Sequence, residues 1–117
     1  MSSLSLKALL KDKADSQYND PSFLTFVDDH VPYLLASVST KAIAVDPSQA
    51  LKYKGDLYGL LTELQIPYFM HYAVMKMNGF NSPIQTQPEI ITQIKAPEVA
   101  EFRKLHNLWR AHNAIRK

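Results

Sequence analysis

Four histidines, His30, His71, His106 and His112, are the side chains of this sequence best suited to chemistry near neutral pH. A metal site on a helix commonly uses two ligands three or four positions apart, because such residues share one face. His106 and His112 are instead six positions apart, which places them about 240° apart around a helix. The histidine spacing therefore gives no support to a metal site.

His30 and His71 differ in their sequence surroundings. In "DDHVP", His30 follows Asp28 and Asp29, and a carboxylate beside a histidine can orient a ligand or a general base. Neighbouring residues on a helix point about 100° apart, however, so we predict a surface or capping role for His30. His71 lies within the aromatic segment "PYFMHYAVM", and we predict that it is a hydrogen-bonded core histidine rather than a ligand.

Other catalytic patterns are missing from the sequence. Its serines stand in neither a nucleophile elbow nor a pair with a base, and it has no glycine-rich loop of the phosphate-binding type. It contains no cysteine, which excludes disulfides, thiolate zinc sites and cysteine nucleophiles. We predict a protein that is not an enzyme and that uses no metal or cofactor. A small enzyme based on His30 is the weaker alternative.

The composition is that of one ordinary globular domain. The chain has 117 residues, of which 46% are hydrophobic and 21% charged, so disorder is not expected. No apolar stretch approaches the length of about 18 residues that a membrane helix needs, and the N-terminal residues do not resemble a signal peptide. A net charge of +2 is too small to argue for nucleic acid as the partner.

Proline residues mark where the helices are expected to begin. In Asp20-Pro21 and Asp46-Pro47, proline suits the first helical position and the preceding aspartate can cap the free amides. We predict a mainly α-helical single domain over residues 1–117, with a two-stranded β element from "TKAIAVD" and "EIITQIK". Residues 1–20 are a candidate partner-contacting N-terminal arm. The pattern predicts about five helices, over residues 4–14, 21–31, 47–64, 67–77 and 97–115.

Two of the three glycines, Gly55 and Gly59, fall inside the predicted third helix. A glycine there costs about 1 kcal/mol relative to alanine. Residues four positions apart share one helical face, and small residues on such a face let another backbone approach closely. Either another helix of the same chain crosses at the glycines, or a neighbouring subunit docks there.

The last predicted helix places apolar residues on one face and basic residues toward its C-terminal end. The basic end either complements the helix dipole or docks an acidic partner. Because Trp, Tyr and Arg are favoured at interfaces, we predict an interface around the glycines and on this helix, although Trp109 also suits the core. The predicted interface residues are Tyr53, Gly55, Asp56, Tyr58, Gly59, Trp109 and Arg110. A rival hypothesis is a helical regulatory or nucleic-acid-binding module that uses Arg103, Lys104, Arg110, Arg116 and Lys117.

Residues 43–80 carry a family resemblance. The elements "VDP", "KYKGDLYGLL" and "P-Y-x-x-H" followed by "NGF" resemble small virion structural proteins of tailed bacteriophages, from the tail, baseplate or neck. The resemblance implies a non-catalytic structural subunit in several copies, with other structural proteins as its partners. It also implies assembly in the host cytoplasm and a final location in the virion. The chain is rich in aromatic residues (10%) for its size, and apolar surface that one small core leaves uncovered commonly marks an interaction site.

Overall fold

Two aspartate–proline pairs begin helices in the computed structural model, which describes residues 16–84 and 91–116. Helix α1 covers Pro21–Asp29, and the Asp20 carboxylate accepts a hydrogen bond of 2.8 Å from the Ser22 N–H. The predicted helix over residues 4–14, and most of the candidate arm over residues 1–20, lie outside the described residues. The described chain begins with a 3₁₀ turn at Ser16–Asn19.

The second predicted helix is divided at His30. Helix α1 ends at Asp29, and a second short helix, α2, covers Val31–Ala36 with Pro32 in its first turn. Proline has no N–H to continue the hydrogen bonding of α1, so the chain starts a new helix there.

The predicted strands pair with each other. Strand β1 (Lys41–Ala44) runs antiparallel to strand β2 (Gln93–Ala96), with Ile43 opposite Ile94. The Asn78 side chain covers the other edge of β2, since it accepts from the Lys95 N–H and donates to the Lys95 carbonyl, both at 2.9 Å. Two strands are marginal alone, and this pair is completed by burial of Ile94 in the helical core.

The prediction of one continuous helix over residues 47–64 is wrong. Helix α3 covers Pro47–Lys52, helix α4 covers Leu57–Glu63, and a turn separates them. Gly55 lies in this turn with φ of +76°, a left-handed conformation that glycine adopts without steric cost. The prediction that Gly55 and Gly59 share one helical face is therefore also wrong, because only Gly59 is helical.

The remaining helices surround the core. Residues Tyr68–Met70 form a 3₁₀ turn, helix α5 covers His71–Met77, and helix α6 covers Val99–Arg116. On α6, Phe102, Leu105 and Trp109 are buried, whereas Val99 and His112 are exposed. In the described part of the chain, no helix is both long enough and apolar enough to cross a membrane. The predicted class, a mainly α-helical domain with a two-stranded sheet, is confirmed.

Candidate interaction surfaces

An aromatic cluster around Phe23 joins α1 to α6. The Phe23 ring lies 4.7 Å from the His106 ring and 5.3 Å from the Trp109 ring, and Tyr18 stacks on His106 at 4.1 Å. Trp109 is only 7% exposed, and its Nε1–H donates to Ser22 Oγ at 3.2 Å. Of the two roles that the sequence left open for Trp109, the structure places it in the core.

A second contact between helices fixes α1 on α5. The Tyr72 hydroxyl donates to the Asp28 carboxylate at 2.9 Å, and Lys76 Nζ lies 4.0 Å from the same carboxylate. Partial burial, together with the hydrogen bond to Asp28, raises the pKa of Tyr72 to about 12. Helix α1 is therefore held by rings on its α6 side and by this polar contact on its α5 side.

The predicted interface residues of the α3–α4 turn make contacts within the chain. The Tyr53 hydroxyl donates to Glu63 Oε1 at 3.1 Å, and Lys52 Nζ lies 3.2 Å from the same oxygen. The hydrogen bond from Lys52 lowers the pKa of Glu63. Asp56 caps α4 by accepting from the Gly59 N–H at 3.0 Å. These contacts close α3 against α4.

Gly59 allows the Asp56 carboxylate and the Tyr53 ring to lie close to the backbone of α4. A Cβ atom built at Gly59 would overlap the Asp56 carboxylate and would lie 2.8 Å from Cδ1 of Tyr53. The sequence correctly indicated that a glycine here permits close packing. Its neighbours are the cap and the ring of the adjacent turn, and no helix crossing at a shared glycine face is formed.

Tyr58 faces α5. Its hydroxyl donates to Met75 Sδ at 3.8 Å, its ring lies 5.3 Å from the His71 ring, and burial raises the pKa of its hydroxyl. None of the residues around the α3–α4 turn lies in the groove that Trp109 lines, which is described below. The structure thus does not join the two groups of predicted interface residues, and whether either contacts a partner remains a prediction.

His71 has the predicted place in the core. It is 5% exposed, and its Nε2–H donates to the Ile66 carbonyl at 2.9 Å. Burial lowers the pKa of His71 because the charged form loses hydration, and the hydrogen bond to Ile66 offsets only part of this effect.

The lowered pKa predicts an acid-sensitive contribution to stability. The unfolded chain, whose histidine pKa is near 6.5, binds a proton at His71 more readily than the folded chain does. The free energy of unfolding should therefore fall as the pH drops through 6.5 toward the folded pKa. Urea unfolding at about pH 7.5 and about pH 5.5 measures this loss. His71→Gln should reduce it, and the exposed control His112→Gln should not. An equal pH dependence in both variants would contradict the prediction.

His30 caps α1, as the sequence predicted. Its backbone N–H donates to the Val27 carbonyl at 2.9 Å, and its Nδ1–H donates to the Phe26 carbonyl at 2.7 Å. The imidazole also stacks on the Phe26 ring at 4.0 Å. Across residues 16–84 and 91–116, no group of three or more histidine, aspartate or glutamate side chains is placed to hold a metal ion.

An open groove separates α1 from the C-terminal half of α6. Its volume is about 860 Å³, and we call it the α1–α6 groove. Phe26 and Trp109 contribute aromatic side chains to its lining, and Asp29 contributes a carboxylate. The sequence did not reveal this groove, because its walls come from two helices that are distant in the chain. The groove is lined by Ser22, Thr25, Phe26, Asp29, His30, Leu108, Trp109, Ala111, His112 and Asn113.

A smaller depression of about 360 Å³ lies between α2 and α6. Its lining consists of Tyr33, Lys104, Asn107 and Leu108, and we call it the α2–α6 patch. Tyr33 is 52% exposed and Leu108 is 62% exposed. Leu108 lines both this patch and the groove, so it stands between two open surfaces. In the sequence, its position outside the buried stripe of α6 was the available signal.

The basic residues of α6 do not all point freely into solvent. The Arg103 guanidinium lies 5.6 Å from the centre of the Phe69 ring, a cation–π contact, and Lys104 lines the α2–α6 patch. Arg110 is exposed. The nucleic-acid hypothesis stays a prediction, and two of its five residues already have protein neighbours.

Comparisons with protein-family models, with curated proteins and with solved structures find no match to this chain. The structure itself defines the class of domain. It is a small, mainly α-helical unit with a two-stranded antiparallel sheet and open apolar surface around Leu108.

Proposed function

We propose that the chain is a non-catalytic structural or adaptor subunit of a multi-protein assembly. The observation that carries this proposal is the α2–α6 patch, where Tyr33 and Leu108 are both more than half exposed. Burying a leucine or a large aromatic residue against a partner contributes about 1.5–3 kcal/mol each. A pair of such residues can therefore anchor a subunit contact.

The surroundings of the patch also suit a protein partner. Lys104 and Asn107 lie beside the two apolar side chains, which gives the apolar centre and polar rim that are typical of protein interfaces. Tyrosine favours such places, because its ring is apolar and its hydroxyl can bond at the rim. The histidines His30 and His71 both donate to backbone carbonyls, which supports a structural use of these side chains.

We further propose that the assembly is the virion of a tailed bacteriophage, with this subunit in the tail, baseplate or neck. The support for this finer proposal is the sequence resemblance of residues 43–80. Other structural proteins of the particle are the proposed partners, and the chain is proposed to be present in several copies.

The test combines particle composition with one matched pair of variants. Particles purified from the source of the sequence are analysed by quantitative mass spectrometry for the stoichiometry of this chain. The same measurement is then made with Leu108→Asp and with the control Leu51→Asp. Leu51 is 67% exposed but lies on α3, outside the patch. Because both leucines are exposed, both variants are expected to fold, with stability changes within about 0.5 kcal/mol.

We expect the wild-type chain in the particle at a fixed copy number, normal incorporation of Leu51→Asp, and at least about tenfold less Leu108→Asp, which corresponds to about 1.4 kcal/mol of contact energy. Absence of the wild-type chain from particles would overturn the virion proposal. Equal incorporation of both variants would overturn the assignment to the patch. If the isolated chain instead bound DNA with an affinity that fell steeply with salt, the nucleic-acid alternative would replace the proposal.

A further inference from the structure

The α1–α6 groove and the α2–α6 patch adjoin at Leu108, which lines both of them. The patch contains Tyr33, an aromatic residue that is 52% exposed. The groove has a volume of about 860 Å³ and carries Phe26 and Trp109 in its lining. Protein pockets that hold a ligand commonly have about 300–1,000 Å³, so the groove has room for an aromatic side chain. One copy of the chain thus presents an exposed aromatic side chain and, next to it, a groove that can receive one.

The two surfaces also carry opposite charges. Asp29 contributes a carboxylate to the lining of the groove, and Lys104 contributes an ammonium group to the lining of the patch. Both residues are exposed, and within residues 16–84 and 91–116 neither takes part in an ion pair. Opposite charges that face each other across an interface favour one orientation of the partners over others. The patch of one copy therefore complements the groove of a second copy in charge as well as in apolar character.

A two-fold axis satisfies both of these contacts at once. In a two-fold dimer the subunits use the same surface, so a contact of one residue with another occurs twice, once in each direction. Because the groove and the patch adjoin at Leu108, an axis beside Leu108 brings the patch of each copy to the groove of the other. The chain carries both halves of the match itself, which favours a second copy over a different protein as the occupant of the groove.

We propose that two copies of the chain form a dimer about a two-fold axis beside Leu108. The Tyr33 side chain of each copy occupies the groove of the other copy, and Lys104 of each copy pairs with Asp29 of the other. The groove has ten lining residues and the patch has four, with Leu108 in common. This is fewer than the about 20–30 residues that each partner contributes to a typical stable interface, so we expect a dissociation constant of about 1–100 μM. The inference deepens the proposed function and rests on it, since it names the partner of the patch.

Reversal of the charge pair tests the contact between the two copies. Sedimentation velocity of the isolated full chain, over a range of about 1–300 μM, measures the dissociation constant of the dimer. Asp29→Lys and Lys104→Asp each place like charges at both symmetric contacts, and each should raise this constant about tenfold or more. The double variant Asp29→Lys with Lys104→Asp restores opposite charges and should return the constant to within about threefold of the wild type. The control Lys54→Asp reverses an exposed charge on the α3–α4 turn and should leave the constant unchanged.

Crosslinking tests the position of the axis, because the sequence contains no cysteine. A residue beside a two-fold axis lies close to the same residue of the other copy. A short bismaleimide reagent should therefore link two copies of Leu108→Cys. The control is Leu51→Cys, at a position on α3 that is 67% exposed. We expect a yield of linked dimer for Leu108→Cys that is about ten times that of the control or more.

The opposite results are equally specific. A chain that stays monomeric up to the highest concentration would overturn the inference, and so would a double variant as weakly associated as the single variants or equal crosslinking at the two cysteine positions. Oligomers larger than a dimer would replace the two-fold arrangement with a head-to-tail one and thereby contradict it. A monomeric chain that enters particles through Leu108 would overturn this inference alone, whereas a dimer that is absent from particles would overturn only the virion proposal.

Discussion

Phe23→Ala is expected to lower the free energy of unfolding by about 3–5 kcal/mol, the largest single effect that the structure predicts. The Phe23 side chain is fully buried, and its ring contacts those of Tyr18, Phe102, His106 and Trp109. Removing it leaves a cavity between α1 and α6 that these rings cannot fill without leaving their own contacts. Since small domains are stable by about 5–15 kcal/mol, the variant should be close to unfolding.

Equilibrium urea unfolding, followed by circular dichroism, measures this loss. The matched control is Tyr33→Ala, an aromatic truncation on α2 at a residue that is 52% exposed. Surface substitutions of this kind usually change stability by less than about 0.5 kcal/mol. Comparable losses in the two variants would mean that the aromatic cluster does not join α1 to α6 as described.

Gly59→Ala should also destabilise the protein, by about 1–3 kcal/mol, although the same change in an ordinary helix interior stabilises by about 1 kcal/mol. The added methyl group would overlap the Asp56 carboxylate and would lie 2.8 Å from Cδ1 of Tyr53. Asp56 caps α4 through the Gly59 N–H, so displacing its carboxylate also weakens the cap, which is worth about 1 kcal/mol. A loss of stability on Gly59→Ala, instead of the gain expected in an ordinary helix, would identify Gly59 as a closely packed position.

A double-mutant cycle separates the carboxylate from the ring. In an Asp56→Ala background the overlapping carboxylate is gone, so Gly59→Ala should cost about 1 kcal/mol less than in the wild type. The four free energies of unfolding come from the same urea titrations. A stabilising Gly59→Ala in the wild-type background would contradict the close packing of the α3–α4 turn, and an absent coupling would assign the cost to Tyr53 alone.

The local sequence determined where most elements begin and which class of fold they build. Asp20-Pro21 and Asp46-Pro47 start helices because capping and the fixed φ of proline act within one turn of the chain. The alternation in "TKAIAVD" predicted the first strand, "EIITQIK" was predicted as the second, and the two pair. The apolar surroundings of His71 identified a core histidine. Each of these signals depends on residues that are close in sequence.

Tertiary structure decided what local patterns leave open. The stretch from Pro47 to Leu64 was predicted as one helix, yet the chain turns at Gly55, whose φ of +76° is left-handed, and across this turn the Tyr53 hydroxyl reaches Glu63. The α1–α6 groove and the α2–α6 patch arise between helices that are distant in sequence, so spacing within either helix cannot reveal them. The helices were predictable from neighbouring residues, whereas the open surfaces depend on how the buried rings of Phe23 and Trp109 set one helix against another.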